Sequence, residues 1–104
     1  MKLIHNITFL VEHSIQDEWH DWIQDDMMPY FQNSPEIGAY KLAKIVSGQN
    51  PDGQSYALQL EFKNVSLFQQ FAATLEPIML QNHREKFQDK ALFFATTMEI
   101  LNQG

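Results

Sequence analysis

Gln54-Ser55-Tyr56-Ala57-Leu58-Gln59-Leu60-Glu61-Phe62-Lys63 is the stretch on which the fold turns. Its apolar residues Tyr56, Leu58, Leu60 and Phe62 alternate with Ser55, Gln59, Glu61 and Lys63, the period of two that a strand with one buried face imposes. Just before it, Gly48 to Gly53 holds Asn50-Pro51-Asp52-Gly53 and reads as a turn, because Asn and Asp bond their own backbone, Pro presets φ and Gly tolerates positive φ. Ile37 to Ser47 reads as a strand with Tyr40, Leu42 and Val46 on one face. Two strands across such a turn make a hairpin.

Toward the start of the chain, Lys2 to Glu12 alternates as well, with Leu3, Ile7, Phe9 and Val11 on one side and Asn6 and Thr8 on the other. Ser14, followed three residues later by Asp17, resembles a capping box with Asp in place of Glu. Ile15, Trp19, Trp22, Ile23 and Met27 then recur at helical spacing. Pro29 and Asn33-Ser34-Pro35 place the end of this helix around Met28 to Gln32. Toward the other end, Asn64 or Ser66 caps a second helix with Leu67, Phe68, Phe71, Leu75, Ile78 and Met79 on its buried stripe. Pro77 is expected to kink or restart that helix, and Phe87 to pin its end. Ala91 to Leu101 is a last strand, read with Phe94, Met98 and Ile100 on one face and Phe93, Ala95, Thr97 and Glu99 on the other.

The order strand, helix, strand, strand, helix, strand is that of the ferredoxin-like architecture, an α+β fold (βαββαβ) with a four-stranded antiparallel sheet and two helices on one face. With 104 residues, one domain over 1–104 is expected. The covered face takes Ile7, Phe9, Val11, Tyr56, Leu58, Leu60, Phe62, Met98 and Ile100. The open face mixes Ile4, Leu10, Ile45, Ala57, Phe93 and Ala95 with Asn6, Thr8, Lys41, Gln59, Glu61, Thr97 and Glu99. Such a face is too apolar to stay bare, and a second copy of the chain is its simplest cover. Two sheets face to face give a homodimer joined through the open sheet face, a dimeric α+β barrel.

Composition narrows the function classes. Seven Lys and Arg against 13 Asp and Glu leave a net charge of −6, the wrong sign for neutralising phosphates, so no nucleic acid partner is expected. The absence of cysteine removes thiol nucleophiles, thiolate metal sites and disulfides, which agrees with a reducing, cytoplasmic compartment. The opening residues carry one cation and no long apolar run, so neither a signal peptide nor a membrane span is expected.

Asn6-Ile7-Thr8, Glu18-Trp19-His20-Asp21-Trp22, Pro29 and the stretch from Phe87 to Glu99, which pairs Phe87, Asp89 and Lys90 with Phe94, Thr96 and Glu99, carry a resemblance. In these patches, spread over nearly the whole length, the chain resembles a bacterial family of small proteins of unknown function with a ferredoxin-like, dimeric-barrel type of fold. It departs from that family at Met27, where histidine is common two positions before the proline. The resemblance implies the fold and adds no chemistry.

The residues offer few catalytic constellations. Asp17, Glu18, Asp21, Asp25 and Asp26 form an acidic helix face, and no Lys or Arg occurs from Leu3 to Tyr40. A solvated face matched to the helix dipole explains it; the sharper alternatives are a docking surface for a basic partner, or a cation site with His13, His20 and Asp17. One helix face supplies too few converging ligands for zinc or a hard cation, so no metal and no cofactor are expected. His5, His13, His20 and His83 are scattered, and neither a nucleophile elbow nor a phosphate-cradling glycine loop is present. Trp19 and Trp22 lie on the apolar side of their helix and read as core.

The remaining candidate site is the polar part of the open face: Asn6, Thr8, Gln59, Glu61 and Thr97, with Glu99 beside them. It reads as a hydrogen-bonded or water-filled dimer interior, or as a small-molecule site. Two functions follow. One is a non-catalytic homodimer that binds a partner or a small molecule. The other is a cofactor-independent monooxygenase or haem-handling enzyme of the dimeric-barrel kind, in which Asn6 and His83 loosely match a strand-one Asn and a helix-two His.

Overall fold

The computed structural model describes residues 1–48 and 50–104; Gln49, in the turn expected at Gly48 to Gly53, lies outside the described residues. Its strands are β1 (Leu3–Val11), β2 (Tyr40–Lys44), β3 (Gln54–Phe62) and β4 (Ala91–Glu99), and its helices are α1 (Gln16–Trp22), α2 (Met28–Gln32) and α3 (Val65–Phe87). The strands pair antiparallel in the order β2-β3-β1-β4, and the helices cover one face. This is the α+β, ferredoxin-like arrangement the alternation pointed to.

β1 is central and alternates between buried and half-buried residues along its whole length. It pairs with β3 from Leu3↔Phe62 to Val11↔Gln54. β2 is shorter than the expected Ile37 to Ser47, but Gly38 N–H bonds Glu61 O at 2.8 Å and Ile45 N–H bonds Ser55 O at 2.9 Å, so the pairing outlasts the regular strand. At the start of β3 a Cβ on Gly53 would lie 2.3 Å from Val11 O, which leaves glycine as the residue that lets the turn close against β1.

α1 and α2 form one helical run over 16–32, joined by a π turn at Ile23–Met27. The widened turn lies directly before Pro29, which has no N–H to give a regular helix. The capping box expected at Ser14 and Asp17 does not form. A 3-10 turn occupies His13–Ile15, and the Gln16 amide instead donates to Val11 O at 2.7 Å and Glu12 O at 3.1 Å. Asn64 does cap α3, accepting from Leu67 N–H at 2.9 Å. Pro77 neither ends nor restarts α3. It and Ala73 are exposed, so the carbonyl that Pro77 cannot serve faces water.

The faces of β4 are the reverse of those expected. Phe93 lies opposite Phe9 and Phe94 opposite Thr8, which sends Ala91, Phe93, Ala95, Thr97 and Glu99 toward the helices and Leu92, Phe94, Thr96 and Met98 to the open face. The connection from α3 sets this parity. A 3-10 turn at Gln88–Lys90 follows Phe87 directly, Glu12 N–H bonds Lys90 O at 2.9 Å, and Ala91 enters the core 1% exposed. The helices do not reach the far end of β4, so Ala95, Thr97 and Glu99 stay exposed on the helical side. Met98 and Ile100 therefore leave the list of covered residues, and Phe93 and Ala95 leave the open face.

The core is organised around Trp19, which is fully buried. Its ring stacks on Tyr56 at 4.7 Å and packs against Phe9 at 5.3 Å, while its indole N–H donates to His83 Nε2 at 3.0 Å. His83 is itself completely buried among Phe9, Trp22, Phe87 and Phe93. Burial, and to a smaller extent the charge of Arg84, push its pKa down to about 4. It is therefore neutral at pH 7, and because Nε2 accepts, the proton sits on Nδ1, which has no partner among the described residues.

Trp19→Ala should cost about 3 to 5 kcal/mol by chemical denaturation, the loss typical of a large buried aromatic; a change within a few tenths of a kcal/mol would contradict this packing. His83 should also make stability depend on pH. Below about 6.5 the unfolded chain takes up a proton that the folded chain refuses until about 4, so stability falls by about 3 kcal/mol as pH drops through that window. Imidazole signals followed by NMR should show His83 unprotonated above pH 5, and a ring titrating near 6.5 would refute the assignment.

Candidate functional site

The open face of the sheet is built in rows across the strands. Lys41, Gln59, Asn6 and Thr96 are successive cross-strand partners on β2, β3, β1 and β4. Cross-strand neighbours have Cβ atoms about 4.5 to 5.5 Å apart, so this is a continuous polar row. On one side of it lie Ala43, Ala57, Thr8 and Phe94, and on the other Glu61, Ile4 and Met98. A band of amides, a hydroxyl and an ammonium is thus flanked by apolar side chains together with Thr8 and Glu61.

Within the band, Asn6 Nδ2 donates to Thr8 Oγ1 at 3.0 Å, and Lys2 Nζ sits 3.2 Å from the Glu61 carboxylate. A depression of about 190 Å³ opens at the β2 end between Lys41, Gln59, Glu61 and Gln103. Gln103 reaches it from the segment after β4, where Ile100 N–H extends the β1–β4 ladder by bonding Lys2 O at 2.9 Å. Around the band, Phe94 is 63%, Leu92 55% and Met98 40% exposed. Asn6, Thr8, Gln59 and Glu61 are therefore on one face, as expected from their parity.

Thr97 is not with them. It points to the helical side, where its Oγ1 lies 2.9 Å from His5 Nδ1, and His5 Nε2 bonds the Glu76 carboxylate. His5 is 3% exposed and packs against Phe68 at 5.0 Å. The chain Thr97, His5, Glu76 ties β4 and β1 to α3. The neighbouring threonine, Thr96, takes the place that Thr97 was expected to fill, because the parity of β4 is inverted. Lys41 joins the row and was not among the site residues expected. His5 had a signal in the sequence: it is a polar residue at the buried parity of β1, and such a residue has to find partners.

The other histidines form no constellation. His20 Nε2 is 3.1 Å from Tyr56 Oη and His13 is exposed. Among the described residues no three His, Asp or Glu side chains are placed to hold a metal ion, and no helix is long and apolar enough to cross a membrane.

With this geometry in view, the chain can be set beside known proteins. It is similar in fold to a dimeric ferredoxin-like protein from an uncultured marine organism, at a TM-score of 0.76 with 11% identity, over 99% of this chain and 98% of that one. It is similar to the heme-degrader MhuD from Mycobacterium tuberculosis, at 0.69 and 14% over 98% of each chain. It is also similar to SnoaB, a cofactor-independent oxygenase from Streptomyces nogalater, at 0.67 and 12% over 98% of this chain and 95% of that one. At such identities the likeness is one of fold. No curated protein matches the sequence. Residues 2–101 match the family described as Domain of unknown function (DUF4286), and since the match spans nearly the whole chain, the protein belongs to that family.

Proposed function

We propose that the chain acts as a homodimer whose open sheet faces close on each other, and that the enclosed polar band binds a small molecule. The observation that carries this reading is the bare apolar frame of the band: Phe94, Leu92 and Met98 stand 63%, 55% and 40% exposed on a face without a covering layer. A monomer in water would gain by burying them, at about 25 cal/mol per Å² of apolar surface. The similar marine protein is described as dimeric, which supports a second copy as the cover. The row Lys41, Gln59, Asn6 and Thr96 then provides donors and acceptors beside the apolar Phe94, Met98 and Ile4, the mixture of a small-molecule site.

The haem-handling alternative draws on the heme-degrader among the similar structures. The residues here do not fit that group. His83 Nε2 is occupied by the Trp19 N–H and its Nδ1 carries the proton, while both nitrogens of His5 are engaged by Thr97 and Glu76. Neither buried imidazole offers a free lone pair to iron.

Light scattering at micromolar concentration should give twice 12.2 kDa. Phe94→Asp should give a folded monomer, because the side chain is exposed within one subunit and a charge buried unpaired at an interface costs about 3 to 5 kcal/mol. A wild-type monomer would end the proposal. For the band, native mass spectrometry of protein from its own host should show a retained small molecule, and Asn6→Ala combined with Gln59→Ala should lose it while keeping dimer and Tm. If the double variant instead loses about 1 to 3 kcal/mol, these amides are structural partners of each other and not a site.

A further inference from the structure

The acidic helix face is not absorbed by the open-sheet reading, and the structure gives it a shape. The helical run 16–32 and α3 lie side by side on the outside of the molecule. Between them runs a groove in two connected parts, of about 620 and 370 Å³, which share Asp26 and Tyr30. Trp22, Asp26, Tyr30 and Asn33 line it from one helix at successive turns, and Thr74, Ile78 and Asn82 line it from the other. From Trp22 to Asn33 this is about 16 Å at 1.5 Å per residue, three turns of a helix.

The groove combines exposed apolar side chains with acidic ones. Ile78 is 53% and Tyr30 41% exposed, although both are large hydrophobic residues. Asp25 and Asp26 line the same part of the groove as Ile78 and Tyr30, and Glu85 lines the part that continues past Tyr30. Asp25 and Asp26 lie within the π turn at Ile23–Met27, and both line the groove. Lys86, the one cation on the groove among the described residues, is 3.3 Å from Glu18 and is partly neutralised there. Asp17, Glu18 and Asp21 extend the negative field along the same helix, and no Lys or Arg occurs between Leu3 and Tyr40 to offset it.

We infer that this groove docks a basic amphipathic helix of another protein, aliphatic side chains entering between Tyr30 and Ile78 and lysines or arginines pairing with Asp25, Asp26 and Glu85. A helix laid into an apolar groove through residues one turn apart is a recurrent mode of recognition. Charge selects the occupant: a second copy of this chain, at a net charge of −6 and with the same acidic helical layer, would be repelled. The groove faces away from the open sheet, so the inference does not rest on the dimer or on the polar band.

The test uses a synthetic amphipathic helix of leucine and lysine, about 14 residues or nearly four turns long, titrated into the isotope-labelled full chain. Amide shifts should be confined to the groove around Asp26, Tyr30 and Ile78, and affinity should fall as salt rises from about 20 to about 300 mM and screening sets in. Asp25→Asn with Asp26→Asn should weaken binding about three- to tenfold. Ile78→Asp should weaken it too, although it adds negative charge, because it removes the apolar contact. Equal binding of a leucine and glutamate peptide, shifts spread over the open sheet face, or an Ile78→Asp variant that binds as well as the parent would each overturn the proposal. So would a fall in the mass of the free protein on Ile78→Asp, which would show a second copy in the groove.

Discussion

One hydrogen bond links the two parts of the helical layer: the Trp19 indole N–H donating to His83 Nε2 beside the ring of Phe9. It joins the helical run 16–32 to α3 directly over the central strand, inside a cluster where both partners are fully buried. A hydrogen bond between two buried side chains is of modest net value, but breaking it strands a polar group in an aromatic interior. The two helices are therefore fixed relative to each other and to β1. Because they are committed to one face, the other face of the same four strands is left for a different layer. Helix placement, the exposed Phe94 and the polar row at Asn6 are in that sense consequences of one another.

How much of this could be read from the sequence depends on how asymmetric each element is. β1 and β3 carry apolar residues on one parity and mostly polar ones on the other, so their faces and pairing were legible. β4 was not, because Phe93 and Phe94 offer an aromatic ring to each side, and alternation cannot choose between them. The choice is made by the turn at Gln88–Lys90 and the bond from Glu12 N–H to Lys90 O, neither of which has a signature in the residues. That one inversion moved Thr97 out of the candidate site and brought Thr96 in. Asn6, Thr8, Gln59 and Glu61 stand where the alternation put them.

The helices show the same limit at finer scale. Asn64 was recognisable as a cap because its side chain has only the nearby N–H groups to serve, whereas Ser14 lost that role to Gln16, whose longer side chain reaches back to the end of β1. The π turn could be anticipated only as some disturbance before Pro29. The widening itself is a matter of backbone geometry that residue types do not encode. The fold shared with MhuD and SnoaB at 12 to 14% identity makes the related point that the scaffold tolerates wholesale replacement of what lines it.

The central position of β1 also bears on how the chain acquires its fold. Its two partners are β3 and β4, which end 51 and 88 residues beyond Val11. During synthesis at about 5 to 20 residues per second, Ile7, Phe9 and Val11 wait several seconds before the sheet around them can close. Pairings this distant in sequence are slow to form, and an unpaired apolar strand is a template for aggregation in the meantime. The segment made immediately after β1 is the one that carries Asp17, Glu18, Asp21, Asp25 and Asp26 without a single lysine or arginine. Those carboxylates keep the nascent strand in a strongly negative, mutually repelling environment until its partners emerge.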